Sequence, residues 1–217
     1  MLQTSEKQAG CLHPQLCNGQ EIQVKKNSLL FGEGEALECF YVVKAGACFL
    51  MQTDAKGIHQ ILRIAGPGDI IGKRAFFTGE GTVSSATSLT ELTLVVYTAN
   101  ELMGFMKTEP ALCQEIMAEL MQDAYRTEEE EPIYNVHLTI TQRLAALLQY
   151  LAKKFGTDAE KQLKVQLKRQ EMASVLGTSP EYITSLLNRF QSWGVIKEYK
   201  NCIQLNALED LQSMIDS

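Results

Sequence analysis

Histidine is scarce in this 217-residue chain, which has three, at positions 13, 59 and 137. They are too scattered for a metal-ligand spacing, although His13 lies between Cys11 and Cys17 and would complete a three-ligand set with them. A solvated or locally hydrogen-bonded role is the expectation for each. No Ser/His/Asp or paired-carboxylate arrangement stands out, and no glycine loop runs into a helix to cradle phosphate. The chain is therefore expected not to be an enzyme. A signal peptide and any long apolar run are also missing. The expectation is a cytoplasmic protein with no membrane partner, whose six cysteines stay reduced unless they sense something.

What is present is concentrated in Lys168–Phe190, KRQEMASVLGTSPEYITSLLNRF. Ala173 is small enough for a second helix to approach the first, and Gly177, four positions on, supplies a turn with φ > 0. Ile183, six further, locks the second helix to the core, and Met172, Val175, Leu176, Leu186, Leu187 and Phe190 complete the buried faces at helical spacing. Ser179 is placed to cap the second helix, with Pro180 at its first position. This is the spacing of a helix-turn-helix. Glu181, Tyr182, Thr184, Ser185, Asn188 and Arg189 are left as polar or aromatic candidates for DNA contact. The bland alternative is an ordinary two-helix corner inside a core.

The flanks favour the DNA-binding reading. Gln162–Lys168 alternates like a short strand, Gly194 ends the second helix as a Schellman cap would, and Glu198–Leu205 reads as a hairpin turning near Lys200-Asn201. Strand, two helices and ribbon make a winged helix. Thr139–Gln142 is a capping box opening a helix with Leu144, Leu147, Leu148, Leu151 and Phe155 on one side. Residues 139–205 carry ten Lys/Arg against five Asp/Glu, a surplus of +5 on a chain whose net charge is −6. A basic module on an acidic body suits a protein that meets phosphate with one end. Lys168, Arg169, Arg189, Lys197 and Lys200 are the phosphate candidates.

From Ile22 to about Tyr97 the grammar changes to short apolar runs broken by glycines. Phe40–Val43, Cys48–Met51, Ile61–Ile64 and Leu92–Tyr97 read as strands, and Asp54–Gly57 and Ala65–Gly68 as turns. Many short strands at this spacing predict a small antiparallel barrel or roll, either packed or holding a small ligand. The fold class is α+β.

The two halves together resemble the Crp/Fnr superfamily of bacterial transcription regulators. The resemblance rests on Lys26-Asn27, Leu30-Phe31, Gly34-Glu35, Phe40–Gly46 (FYVVKAG), Pro67–Gly72 (PGDIIG), Thr141–Ala145 (TQRLA) and the winged helix, in that order. It implies a cyclic-nucleotide-binding-like β-roll, a long dimerisation helix and a winged helix reading a palindromic duplex operator as a homodimer, with RNA polymerase as a further partner. The expected division is 1–18 a short N-terminal segment, 19–108 the β-roll, 109–138 the dimerisation helix and hinge, and 139–217 the winged-helix domain.

The departures from that pattern are informative. Cyclic-AMP-binding relatives follow the glycine at the position of Gly72 with a glutamate and hold the phosphate with an Arg-Ser pair about ten residues on. This chain has Lys73-Arg74 and then Thr82-Val83-Ser84-Ser85. With no carboxylate for the ribose and no arginine fork for the phosphate, cAMP is not the expected ligand, and the cofactor stays unidentified. Gly72, Lys73, Arg74, Ser84 and Ser85 would serve a different anionic effector; alternatively Lys73 and Arg74 are solvated at a strand end. Relatives also carry an arginine at the position of Ser185, so the usual half-site is not implied here. A module that has lost DNA binding and instead holds a ligand or docks a protein is the competing function.

Cys11 and Cys17 resemble the last two cysteines of the cluster-binding stretch in the oxygen-sensing branch. A [4Fe–4S] centre takes four thiolates, but the close upstream cysteine is missing and Thr93 stands where the distant one would fall. A cluster, a reversible dithiol or metal role, and no role all stay open. Cys39 and Cys48 read as small core residues, Cys113 as part of a helix opened by Pro110, and Cys202 as part of the wing. In that helix Leu112, Ile116 and Leu120 form an apolar stripe, which the resemblance pairs with its twin across a twofold axis. Glu128–Glu131 follows, sweeping nearly a full turn. The run is either a solvated face or, through a residue such as Glu129 opposite its mate, a repulsion that makes dimerisation conditional. Pro132 interrupts the helix.

Overall fold

In the computed structural model of the chain, residues 20–54, 57, 59–108, 111, 114, 117–118, 132–135, 137–199 and 202–216 are described. They fall into two compact units. The first holds two four-stranded sheets. One has the order β1 (Gln20–Val24), β8 (Leu92–Thr98), β3 (Cys39–Ala45), β6 (Ile70–Ile71); the other runs β2 (Leu29–Phe31), β7 (Ser85–Ser88), β4 (Cys48–Thr53), β5 (His59–Ala65). β3 lies antiparallel to β8 with Tyr41 opposite Val96, and β4 antiparallel to β7 with Leu50 opposite Ala86.

The unbroken run Phe40–Val43 is explained by burial on both faces of β3. Phe40 and Val42 pack with Ile70, Val95 and Tyr97 against Phe76 and Leu102, while Val43 joins Cys48, Ala65, Ile71, Ala86, Leu92 and Leu94 in the interior of the roll. Gly46 closes the turn into β4 at φ +87°, and a Cβ there would lie 2.1 Å from the Glu91 carbonyl oxygen. Only glycine fits. The turn before β6 is held by the buried Asp69, which accepts from Gly66 N–H at 2.7 Å and from the Arg63 guanidinium at 3.1 Å.

Two helices accompany the strands of the first unit. Helix α1 (Lys73–Thr78) begins directly after Gly72, and α2 (Ala99–Thr108) begins before Pro110. The solvated placement of Lys73 is corrected by α1: Lys73 opens the helix on its inner side, 8% exposed, while Arg74 points outward to Glu80. Successive helix residues lie about 100° apart, so the two cations cannot share one environment.

The second unit is built on α3 (Ile140–Phe155), α4 (Arg169–Leu176), α5 (Pro180–Ser192), the hairpin of β9 (Ile196–Tyr199) and β10 (Cys202–Leu205), and α6 (Leu208–Ile215). The capping box forms: Gln142 N–H donates to the Thr139 hydroxyl, and Gln142 Oε1 accepts from Thr139 N–H. Leu144, Leu147, Leu148 and Leu151 are fully buried. The strand expected over Gln162–Lys168 does not form as a regular element. Its alternation survives, with Leu163, Val165 and Leu167 buried, but its pairing is limited to isolated bridges from Gln162 to Gln204 and from Leu163 to Thr157. The Gln166 side chain replaces the ladder, accepting from Ile203 N–H and donating to the Leu163 carbonyl. No sequence motif announces α6. It packs on α3 through Leu211 and Ile215, and amides tie the two helices together: Gln149 Nε2 donates to Gln212 at 3.0 Å and Gln142 Nε2 to the Ile215 carbonyl at 3.1 Å.

Candidate nucleic-acid interface

The helix-turn-helix is α4 and α5. α4 starts with Glu171 accepting from the Lys168 backbone N–H and ends at Gly177, φ +66°, whose N–H donates to the Ala173 carbonyl. The small side chain at Ala173 and the left-handed glycine turn the chain as the spacing requires. Ser179 then caps α5, its hydroxyl accepting from Tyr182 N–H at 3.2 Å, with Pro180 in the first turn. At the far end Val195 N–H reaches the Phe190 carbonyl past Gly194, φ +74°, which is the expected Schellman closure.

Burial splits α5 cleanly. Ile183, Leu186, Leu187 and Phe190 are fully buried, while Glu181, Tyr182, Thr184, Ser185, Asn188 and Arg189 are all exposed. Glu181, Thr184, Ser185 and Asn188 follow one another at i, i+3, i+4 and i+7, so they form a single outward stripe. Within it, the Thr184 hydroxyl donates to the Pro180 carbonyl at 2.8 Å, which leaves its lone pairs and methyl for a partner. Arg189 lies on the flank of that stripe with its guanidinium 4.8 Å above the ring of Trp193.

The cations differ in how free they are. Lys168 is widely exposed, its ammonium 4.0 Å from Glu171, and Lys197 is exposed on β9. Arg169 is committed elsewhere: it forms a part-buried ion pair with Glu198 of β9, so its charge is neutralised against the wing. Lys200 lies outside the described residues, as do Cys11, Cys17, Leu112, Ile116, Leu120 and Glu129. Trp193, half exposed, and Tyr199, at the end of β9, stand on the same unit and are not among the candidate residues drawn from sequence. Their signal was exposure of a large aromatic, which a sequence does not report.

The candidate effector residues stand in different environments. Gly72 has φ +76° and a Cβ there would meet Leu37 at 2.7 Å. Lys73 is buried, Arg74 is in solvent, Ser84 is half-buried and the Ser85 hydroxyl donates to the Met51 carbonyl at 3.2 Å. Thr82 is buried and its hydroxyl bridges the loop at Gly32 and Glu35. Among the described residues no group of three or more His, Cys, Asp or Glu is placed to hold a metal ion. No helix among them is long and apolar enough to cross a membrane.

Comparison with known proteins matches both units in order. A cyclic nucleotide-binding domain model covers residues 21–109, and a Crp-like helix-turn-helix domain model covers residues 142–214. The CRP-like cAMP-activated global transcriptional regulator of Mycobacterium tuberculosis is 26% identical over 180 residues, 82% of this chain and 80% of the relative. The anaerobic regulatory protein of Haemophilus influenzae is 26% identical over 190 residues, 87% of this chain and 73% of the relative. Among solved structures, FixK2 from Bradyrhizobium japonicum gives a TM-score of 0.76 at 18% identity, over 90% of this chain and 96% of that one. A CRP/FNR-family transcriptional regulator from Thermus thermophilus gives 0.73 at 23%, over 91% and 99%. Those two likenesses carry the fold; the paired domain models and the curated relatives carry the family. A sensory β-roll followed by a winged helix with an exposed polar stripe on its second helix is what that family is made of, and the chain belongs to the Crp/Fnr family of DNA-binding transcription regulators.

Proposed function

We propose that the protein is a homodimeric, sequence-specific regulator that lays α5 into the major groove at two half-sites about one helical turn apart. The observation that carries this reading is the outward stripe Glu181, Thr184, Ser185, Asn188 on a helix whose opposite face is fully buried. Glu181 reads a base by accepting from a cytosine N4 amine, and Lys168, Arg189, Lys197 and Lys200 meet phosphate. Dimerisation runs through Leu112, Ile116 and Leu120, with Glu129 tuning it. The cell compartment is the cytoplasm, and RNA polymerase is the second macromolecular partner.

The signal is an effector other than cAMP. The Mycobacterium tuberculosis relative is named as cAMP-activated. In this chain a buried Lys73 occupies the place of the ribose carboxylate, and Thr82 is engaged with the chain's own Gly32–Glu35 loop. Selection of bound sequences from random duplexes, with and without reductant, tests the whole reading. The expected result is a two-fold-symmetric site; recovery of no enriched sequence in either condition would overturn it.

A further inference from the structure

The sequence assigns Arg189 to phosphate but gives no reason why a long, exposed side chain on the flank of α5 should be ready to make that contact. Arg189 and Trp193 are four residues apart, so their side chains stand over the same side of the helix. Trp193 closes α5, its N–H donating to the Arg189 carbonyl at 2.9 Å. Its ring stacks on Phe190, with centroids 5.9 Å apart and planes 27° from parallel, and Phe190 is fully buried. The outer part of the indole is open to solvent, at 52% exposure, and the Arg189 guanidinium rests on the ring at 4.8 Å. A chain of contacts thus runs from the core through Phe190 and Trp193 to one cation. The two arginine candidates part company here. Arg169 is neutralised by Glu198, whereas among the described residues no carboxylate pairs with Arg189.

We propose that Trp193 is a positioning residue for DNA binding: its core-anchored ring holds the unneutralised Arg189 guanidinium in place for a backbone phosphate. The aromatic face restrains the guanidinium plane while leaving its N–H donors free, which a carboxylate partner would occupy. The inference rests on the DNA-binding reading of α5 and adds to it a residue that need not touch DNA.

The test measures duplex binding of the full-length protein against salt, by fluorescence anisotropy with a labelled duplex of arbitrary sequence. The proteins are wild type, R189Q, W193L, W193F and the double variant R189Q/W193L. R189Q and W193L should each lower the slope of log affinity on log salt by about one per protomer and weaken binding about three- to tenfold at low salt. W193F should retain most of the wild-type slope, because a phenyl face still receives the cation. The double variant should be no worse than R189Q. A folded W193L with wild-type slope and affinity would overturn the proposal, and so would additive losses in the double variant. Should W193L fail to fold, the bulkier non-aromatic W193M in the two Arg189 backgrounds decides by the same cycle: a loss equal in both overturns the proposal, and a loss confined to wild-type Arg189 supports it. Wild-type binding with no salt dependence would overturn the DNA-contact reading itself, not only the role of Trp193.

Discussion

Arg169 at the start of α4 pairs with Glu198 in β9, and this contact fastens the helix-turn-helix to its wing. Both side chains are largely withdrawn from solvent. Removing one leaves the other partly buried and unpaired, a cost between that of a surface pair and that of a buried one. Glu198→Ala should lower the stability of the winged-helix unit by about 1–2 kcal/mol, and Arg169→Ala by a similar amount. The double substitution should cost less than their sum. Urea unfolding of the four proteins checks this; strict additivity would show that the pair does not interact.

Glu181 and Lys168 are both exposed on the helix-turn-helix but should behave differently on DNA. Glu181→Ala should relax preference at one base pair of each half-site, with a loss of about 1–3 kcal/mol in discrimination. Lys168→Ala should weaken all duplexes alike. Affinities for a set of single-base operator variants separate the two, and equal losses on every duplex from both substitutions would remove base reading from Glu181.

Two glycines with positive φ separate conformational strain from close approach. Around Gly177 nothing lies within 4 Å of an added Cβ, so Gly177→Ala should cost about 1 kcal/mol for the left-handed backbone alone. At Gly46 the added atom would strike the Glu91 carbonyl and Thr90, so Gly46→Ala should cost at least twice as much. Chemical denaturation of both variants is sufficient. Equal costs would mean the turn after β3 can open without penalty.

Burial in the roll, with a smaller contribution from the Asp69 carboxylate, pushes the Cys48 thiol from an ordinary 9.0 up to about 12. The folded protein therefore keeps a proton that the unfolded chain gives up between those values. Stability from this group is complete below pH 9.0 and falls as pH rises toward about 12, by up to about 1.4 kcal/mol per unit. Urea unfolding from about pH 8 to about pH 10.5, a window that brackets the onset of this loss, should give a shallower decline for Cys48→Ala than for wild type. Parallel curves would exclude the thiol as a source of the slope.

Cyclic AMP at millimolar concentration should leave the melting temperature unchanged. A ligand that binds only the folded state must raise it by mass action. The position that would offer a ribose carboxylate holds the buried Lys73 instead. A clear upward shift in a thermal melt would overturn this.

The helix-turn-helix is legible in sequence because its determinants are local: Ser179, Gly177, Ala173 and the spacing of Ile183, Leu186, Leu187 and Phe190 all act within a few turns. The roll is legible through the glycine-punctuated strands. What escapes depends on distant partners or short elements. α1 has six residues, too short for a periodic signal, and its Phe76 and Phe77 rings both pack on Phe40. Burial of Lys73 runs against the preference of lysine for water. Arg169 looks like a free phosphate contact because Glu198 comes 29 residues later, on the wing. The alternation over Gln162–Lys168 signals one buried side and nothing about hydrogen bonding, which the Gln166 amide takes over.

The seam between α3 and α6 is bonded at Gln142, Gln149 and Gln212, by amides that carry no charge at any pH. Added electrolyte has little to screen there. The outer surface of α5 and its flanks is the opposite case, since its grip on a polyanion is driven by the release of counterions and weakens as the salt concentration rises. Raising ionic strength can therefore strip the duplex from the protein while the α3–α6 seam stays bonded, which makes release from DNA reversible by dilution.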